Sequence, residues 1–93
     1  MDIDLINVKM EEVFLELGFS PIIINGTKYM RFKNCYCKMT YLKPLGAFVI
    51  ECANNLYDVE KGMLEDCELY YTDMSETELL DKLRSNLIKY YMN

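Results

Sequence analysis

The sequence predicts an α+β fold in which an antiparallel sheet of about five strands is flanked by an N-terminal and a C-terminal helix. Three observations predict this fold: closely spaced turn signals between residues 21 and 53, an apolar stripe of helical spacing before them, and a second such stripe at the C-terminus. Strands separated by such short turns pair antiparallel, because parallel strands need much longer crossovers. The expected element order is α-β-β-β-β-α-β-α, and 93 residues make one domain, 1–93.

The N-terminal helix is predicted from apolar residues spaced three and four apart, which place them on one helical face. These residues are Ile3, Ile6, Met10, Val13, Phe14 and Leu17. Asp2 or Asp4 can cap the start of the helix, Gly18 suits the position just after its end, and Pro21 prevents its continuation. We therefore expect this helix to bury its stripe against the sheet.

Four strands are predicted next, joined by tight turns. Asn25 and Gly26 form the strongest hairpin signal, since a type I′ turn needs positive φ at both central residues. Asn34 lies where a second turn is needed, and Pro44 and Gly46 are typical of a third. The predicted strands are Ile22–Ile24, Thr27–Lys33, Cys35–Leu42 and Ala47–Ala53.

The C-terminal half is predicted to hold a short helix, a fifth strand and a longer helix. The short helix begins near Asn55 and ends near Gly62, and the strand covers Cys67–Thr72. Ser75 and Glu78 have the spacing of a capping box, in which each side chain bonds a main-chain N–H of the other residue. The apolar stripe that follows consists of Leu79, Leu80, Leu83, Leu87, Ile88 and Tyr91. We expect both long helices on one face of the sheet.

The charge distribution is uneven. The net charge of −5 argues against direct binding of nucleic acid. Residues 17–50 contain no acid and five bases, whereas residues 51–81 contain ten acids and one base. Two interpretations stay open: the two segments face each other or are simply solvated, or the acidic segment docks on a basic partner surface.

Several classes of chemistry have no support in the sequence. The chain has no histidine, which removes His-based triads and most catalytic zinc sites. Its four glycines are scattered and form no phosphate-binding loop. We expect no enzyme and no cofactor. There is no apolar run of about eighteen residues that would span a membrane, and the acidic N-terminus does not match a signal peptide. We therefore expect a cytoplasmic protein.

The four cysteines are expected to be reduced thiols in the core, with a metal site as the alternative. Cys35 and Cys37 are the only close pair, and a single intervening residue is not typical of zinc ligands. A disulfide is not expected in a cytosolic chain. The carboxylates of Glu65, Asp66 and Glu68 lack the pattern of a calcium loop, so a solvated loop or a partner contact is the preferred interpretation.

Tyrosine is abundant, with eight residues against no tryptophan. Five tyrosines fall off the predicted core stripes, and they are Tyr29, Tyr36, Tyr57, Tyr70 and Tyr90. Half-buried tyrosines at the edges of a sheet explain this pattern, and so does a protein interface, where tyrosine is enriched.

The last half of the chain contains a strand at Phe48–Ala53, an acidic strand entry at Glu65–Tyr70 and a Ser-capped helix with Leu79 and Leu80. In these features it resembles small immunity proteins of bacterial polymorphic toxin systems. Some small phage-encoded inhibitors of bacterial defence look similar. The resemblance implies a non-enzymatic α+β protein that binds and blocks a cognate toxin domain, with the acidic strand entry as the contact region.

The sequence thus predicts an inhibitor that binds a toxin domain through an acidic, tyrosine-bearing surface. The candidate contact residues are Tyr57, Asp58, Glu60, Glu65, Asp66, Glu68 and Tyr70. One alternative is an anti-CRISPR-like phage inhibitor that imitates nucleic-acid charge to disable a host nuclease. Another is a domain for a small ligand or metal, dimeric through a sheet edge. We expect a protein partner and no membrane, and a monomer and a homodimer both stay open.

Overall fold

The computed structural model describes residues 2–92, and it confirms the α+β fold. A five-stranded sheet has the strand order β1-β2-β3-β4-β5, with every neighbouring pair antiparallel. The elements are α1 (Ile3–Glu16), β1 (Ser20–Ile24), β2 (Thr27–Phe32), β3 (Cys35–Leu42), β4 (Ala47–Ala53), α2 (Leu56–Glu60), β5 (Glu65–Tyr71) and α3 (Glu76–Tyr91). A single 3₁₀ turn at Lys43–Leu45 joins β3 to β4. Within the described residues, no helix has the length and apolar character needed to cross a membrane.

Helices α1 and α3 pack side by side on one face of the sheet, as predicted. The main core between them and the strands consists of Ile6, Met10, Val13, Phe14, Phe19, Met30, Cys37, Phe48, Ile50, Tyr70, Leu79, Leu83 and Leu87. The predicted cap of α1 forms, and of the predicted capping box at the start of α3 the Ser75 half forms. The Asp2 carboxylate accepts a hydrogen bond from the Leu5 N–H at 3.2 Å, and the Ser75 hydroxyl accepts one from the Glu78 N–H at 3.2 Å. One predicted stripe residue, Ile88, is instead 45% exposed.

The opposite face of the sheet carries a second, smaller core under α2. Val59 of α2 packs on Tyr29, Tyr36 and Ala53, and all four side chains are buried. The prediction that Tyr29 and Tyr36 lie outside the core is therefore wrong, because the sheet is covered on both faces over part of its area. On the other face of the sheet, an ion pair between Lys9 of α1 and Glu76 of α3 links the two long helices.

Candidate protein-binding surface

Helix α2 presents the first three predicted contact residues. The Asn55 side chain begins the helix by accepting a hydrogen bond from the Asp58 N–H at 2.8 Å, and its amide donates to the Asp58 carboxylate at 3.0 Å. Tyr57 is 64% exposed, with the Lys61 ammonium 5.6 Å from its ring centre, and Glu60 is exposed. Because Val59 anchors the helix in the smaller core, these side chains are held at the surface by packing.

The start of β5 presents the next two predicted contact residues. Glu65 and Asp66 lie in the strand rather than before it, across from Cys52 and Glu51 of β4, and both are exposed. The β4–β5 register shifts between Ile50 and Glu51, which leaves one extra residue in β5. The acidic entry therefore lies at a β-bulge on an edge strand, and such bulges are over-represented at sheet edges and next to active sites.

A disulfide between Cys52 and Cys67 closes this bulge, with the two Cα atoms 6.5 Å apart. The expectation that all four cysteines are separate reduced thiols is therefore wrong for this pair. The extra residue of β5 is Cys67, and the shift brings it diagonally next to Cys52, within the Cα separation that disulfides span. The Tyr91 hydroxyl donates a hydrogen bond to the Cys52 sulfur at 3.6 Å.

The other two cysteines are free, and their sulfurs are 3.7 Å apart. The hydrogen bond shared with Cys35, together with burial, raises the pKa of the Cys37 thiol far above its ordinary value. Cys37 is therefore protonated at neutral pH and is a poor nucleophile. Among residues 2–92, no group of three or more histidine, cysteine, aspartate or glutamate side chains is arranged to hold a metal ion.

Tyr70 lies in the main core, with 1% of its surface exposed. The prediction that it contributes to a contact surface is wrong, because β5 directs Tyr70 toward α3 rather than outward. Its hydroxyl accepts a hydrogen bond from the Asn86 amide at 3.0 Å, and the Lys82 ammonium lies 5.1 Å from its ring centre. Burial raises the pKa of Tyr70 to about 12, with the Asn86 hydrogen bond acting in the opposite direction.

Glu68 is half-buried and engaged within the fold. Its carboxylate is 3.7 Å from the Lys82 ammonium and accepts a hydrogen bond from the Leu69 N–H at 3.2 Å. Glu68 therefore differs from Glu65 and Asp66, whose carboxylates form no ion pair with any described residue.

The ion pairs argue against one interpretation of the charge asymmetry, in which the basic and acidic segments face each other, whereas a solvated acidic segment and a basic partner surface both stay open. None of the five bases between residues 17 and 50 forms an ion pair with the described acids between 51 and 81, and Lys28 pairs instead with Glu11 of α1 at 2.7 Å. The fold thus does not neutralise the acidic segment against the basic strands. Seven of the ten carboxylates in that segment have no ion-pair partner among residues 2–92. Four of these seven lie on α2 and at the start of β5, and we call them the acidic flank: Asp58, Glu60, Glu65 and Asp66.

An open groove of about 700 Å³ lies mainly on the face of the sheet that α1 and α3 leave uncovered, and both apolar and charged side chains line it. Its lining includes Leu45 and Tyr71, which are 55% and 44% exposed. Its charged lining residues are Glu51, Asp66, Glu68 and Lys82. Sequence reasoning missed this groove, since alternation along β4 and β5 shows which residues share a face but not how far α2 extends across it. The groove is open to solvent and is not an enclosed ligand cavity.

The chain matches no protein-family model, no curated protein and no solved structure. Its function therefore has to be inferred from its own residues.

Proposed function

We propose that this protein is a non-enzymatic inhibitor that binds and neutralises a toxin domain through the acidic flank, as an immunity protein. The observation that supports the proposal is that four carboxylates on α2 and β5 have no ion-pair partner among the described residues, and that three of them, Glu60, Glu65 and Asp66, are exposed. Unpaired surface charge of one sign speeds association with a surface of the opposite sign.

The neighbouring groove supplies what a charged patch alone lacks. Tight protein interfaces contain an apolar centre with tyrosine among its anchors, and a polar rim around it. Tyr71 and Leu45 are exposed at the groove, Asp66 of the acidic flank is part of the groove lining, and Tyr57 is exposed on α2. A toxin that acts on nucleic acid needs a positive cleft, which makes it a fitting partner for such a surface.

The test uses a toxin domain sought among the genes beside the gene for this protein. The purified protein should abolish the toxin's activity at a stoichiometry of one to one, and stopped-flow mixing should give an association rate that falls with added salt. Activity that persists at equimolar concentration would contradict the proposal. A partner found only in a host defence complex would instead favour the alternative, a phage inhibitor that uses the same carboxylates to imitate nucleic acid.

The contact residues are tested by a triple variant, Glu60→Gln, Glu65→Gln and Asp66→Asn. These three are chosen because they are exposed, whereas Asp58 belongs to the cap of α2 and Glu68 pairs within the fold. We expect the association rate at low salt to fall by roughly tenfold, with a weaker salt dependence.

A matched control variant carries Asp4→Asn, Glu12→Gln and Asp73→Asn. These side chains are exposed, form no ion pair with a described residue, and lie outside the acidic flank. The control changes the net charge by the same amount, so it should leave the association rate close to that of the wild type. Equal effects of the two variants would mean that net charge, and not the acidic flank, governs binding.

A further inference from the structure

The pairing of β3 is incomplete on one side. β2 and β3 pair over three residues each, and the last pair is Met30 with Cys37. β3 continues to pair with β4 as far as Leu42 and Ala47. Beyond Cys37 the hairpin formed by β1 and β2 diverges from β3, so residues 38–42 have a neighbouring strand on the β4 side only. We call this half of β3 the fork edge.

The fork edge presents unpaired main-chain groups at two positions. Phe32 and Cys35 flank a two-residue turn and therefore form a hydrogen-bonded pair. In an antiparallel pair, every second residue after such a pair directs its N–H and C=O toward the same neighbouring strand. Every second residue of β3 after Cys35 therefore directs its N–H and C=O toward the β2 side. Met39 and Tyr41 therefore point these groups to the side from which β2 has diverged. No described strand pairs with them there.

The other two edges of the sheet are each protected at one outward-facing position. On β5, the outward N–H of Leu69 donates to Glu68 at 3.2 Å, and its C=O accepts a hydrogen bond from the Lys82 ammonium at 3.0 Å. On β1, which has only five residues, Pro21 has no N–H to offer. Natural sheets use such devices to prevent strand pairing. The fork edge has no comparable protection among the described residues.

An open cleft of about 250 Å³ lies at the point of divergence. It is bounded by the hairpin at Thr27 and Lys28, by β3 at Lys38 and Met39, and by α1 at Asn7. The two strands therefore leave room between them where a chain can begin to pair with β3.

We propose that the fork edge binds an extended strand of a partner protein, in which apolar and acidic residues alternate. Only an extended main chain supplies N–H and C=O groups at the two-residue repeat of Met39 and Tyr41. This inference goes beyond the proposed function and adds a second interaction surface, distinct from the acidic flank.

The side chains of the fork edge determine the chemistry of the partner strand. Met39 and Tyr41 point to the face covered by α1 and α3, where the Tyr41 ring centre is 5.0 Å from that of Phe48. Residues directly opposite each other in a sheet share a face, so the partner residues on this side are apolar.

The opposite face of the fork edge is basic. Lys38 lies on this face and Lys43 follows the end of the strand, and neither forms an ion pair with a described residue, although Lys38 is across from Glu51 in the β3–β4 register. No acid occurs between residues 17 and 50. Acidic side chains of the partner strand therefore find two unpaired cations.

The free protein provides the first test, by amide hydrogen exchange measured with NMR. The Met39 and Tyr41 amides should exchange at least about tenfold faster than the Thr40 amide, which faces β4. If the Met39 and Tyr41 amides are protected in dilute protein, the edge is already occupied and the inference is wrong. If their protection grows with protein concentration, a second copy takes the edge and the assignment to a partner strand is overturned.

The second test uses a capped seven-residue peptide in which valine and glutamate alternate, a length typical of one strand. At saturation it should slow exchange of the Met39 and Tyr41 amides by about tenfold or more. The same peptide methylated at every backbone nitrogen cannot donate hydrogen bonds and should give no protection. A peptide with lysine in place of glutamate should bind roughly tenfold more weakly.

The variant Lys38→Gln with Lys43→Gln should abolish this preference, because it removes both cations from the fork edge without placing a second carboxylate across from Glu51. Equal binding of the methylated peptide, or chemical-shift changes confined to the acidic flank, would refute the inference. Because the peptide contains no part of a toxin, that failure would leave the proposed function standing. Conversely, loss of toxin inhibition in the Glu60, Glu65 and Asp66 variant bears only on the acidic flank.

Discussion

Breaking the disulfide between Cys52 and Cys67 should lower the free energy of unfolding by about 3 kcal/mol. The bond joins residues 15 apart in the sequence, and a crosslink that closes a loop of about 15 residues removes about 3 kcal/mol of chain entropy from the unfolded state. For a domain of this size, that loss lowers the melting temperature by roughly 12–24 °C. The closed loop contains α2, which carries part of the acidic flank.

The assay is urea unfolding at 25 °C, followed by far-UV circular dichroism, with and without a phosphine reductant. The variant Cys52→Ser with Cys67→Ser should match the reduced wild type and should not respond to the reductant. Cys35→Ser is the matched control, because it removes a free thiol and keeps the disulfide, so it should remain sensitive to reduction.

Two results would refute this reasoning. Four titratable thiols in the folded, unreduced protein would mean that the bond does not form. A change in unfolding free energy below about 1 kcal/mol on reduction would mean that the loop is already ordered in the unfolded chain, against the entropic account.

Three further predictions concern stability. Burial raises the pKa of Tyr70 to about 12, whereas a tyrosine in the unfolded chain ionises near pH 10. The contribution of Tyr70 to the free energy of unfolding is therefore complete below about pH 10 and is lost as the pH rises toward about 12. The variant Tyr70→Phe should flatten that loss in urea unfolding measured across this range; an unchanged slope would contradict it. Leu83→Ala, at a fully buried position, should cost about 2–5 kcal/mol, whereas Ile88→Ala, at 45% exposure, should cost under about 1 kcal/mol, by thermal unfolding. Asn55→Ala removes the cap of α2 and should cost about 1 kcal/mol, with faster amide exchange at Asp58; protected exchange there would show that packing alone holds the helix.

Local signals in the sequence were sufficient for most of the fold. The Asn25–Gly26 hairpin adopts positive φ at both residues, 51° and 79°, because their intrinsic freedom specifies the turn before any packing occurs. The caps at Asp2 and Ser75 are equally local, since a side chain bonds an N–H three residues away. Helical periodicity predicted which residues of α1 face the core, because it too depends only on residues a few positions apart.

The candidate contact residues were predictable only in part. Acidic composition pointed to the two segments that contain the acidic flank, and the structure leaves Glu60, Glu65 and Asp66 exposed. Alternation alone did not identify Tyr70 as a core residue, because it tells which residues share a face and not which face is covered. Whether a carboxylate finds a cation depends on residues far away in the chain, as when Lys28 pairs with Glu11.

The amino-acid order by itself determined the α+β class, the number of strands, their turns and the two long helices, because each depends on interactions between residues a few positions apart. Only the tertiary structure decided the disulfide, the second core under α2 and the fork edge of β3. Each of these depends on strand register and on how far two strands stay paired. That extent is set by packing between distant elements, which no short stretch of sequence encodes.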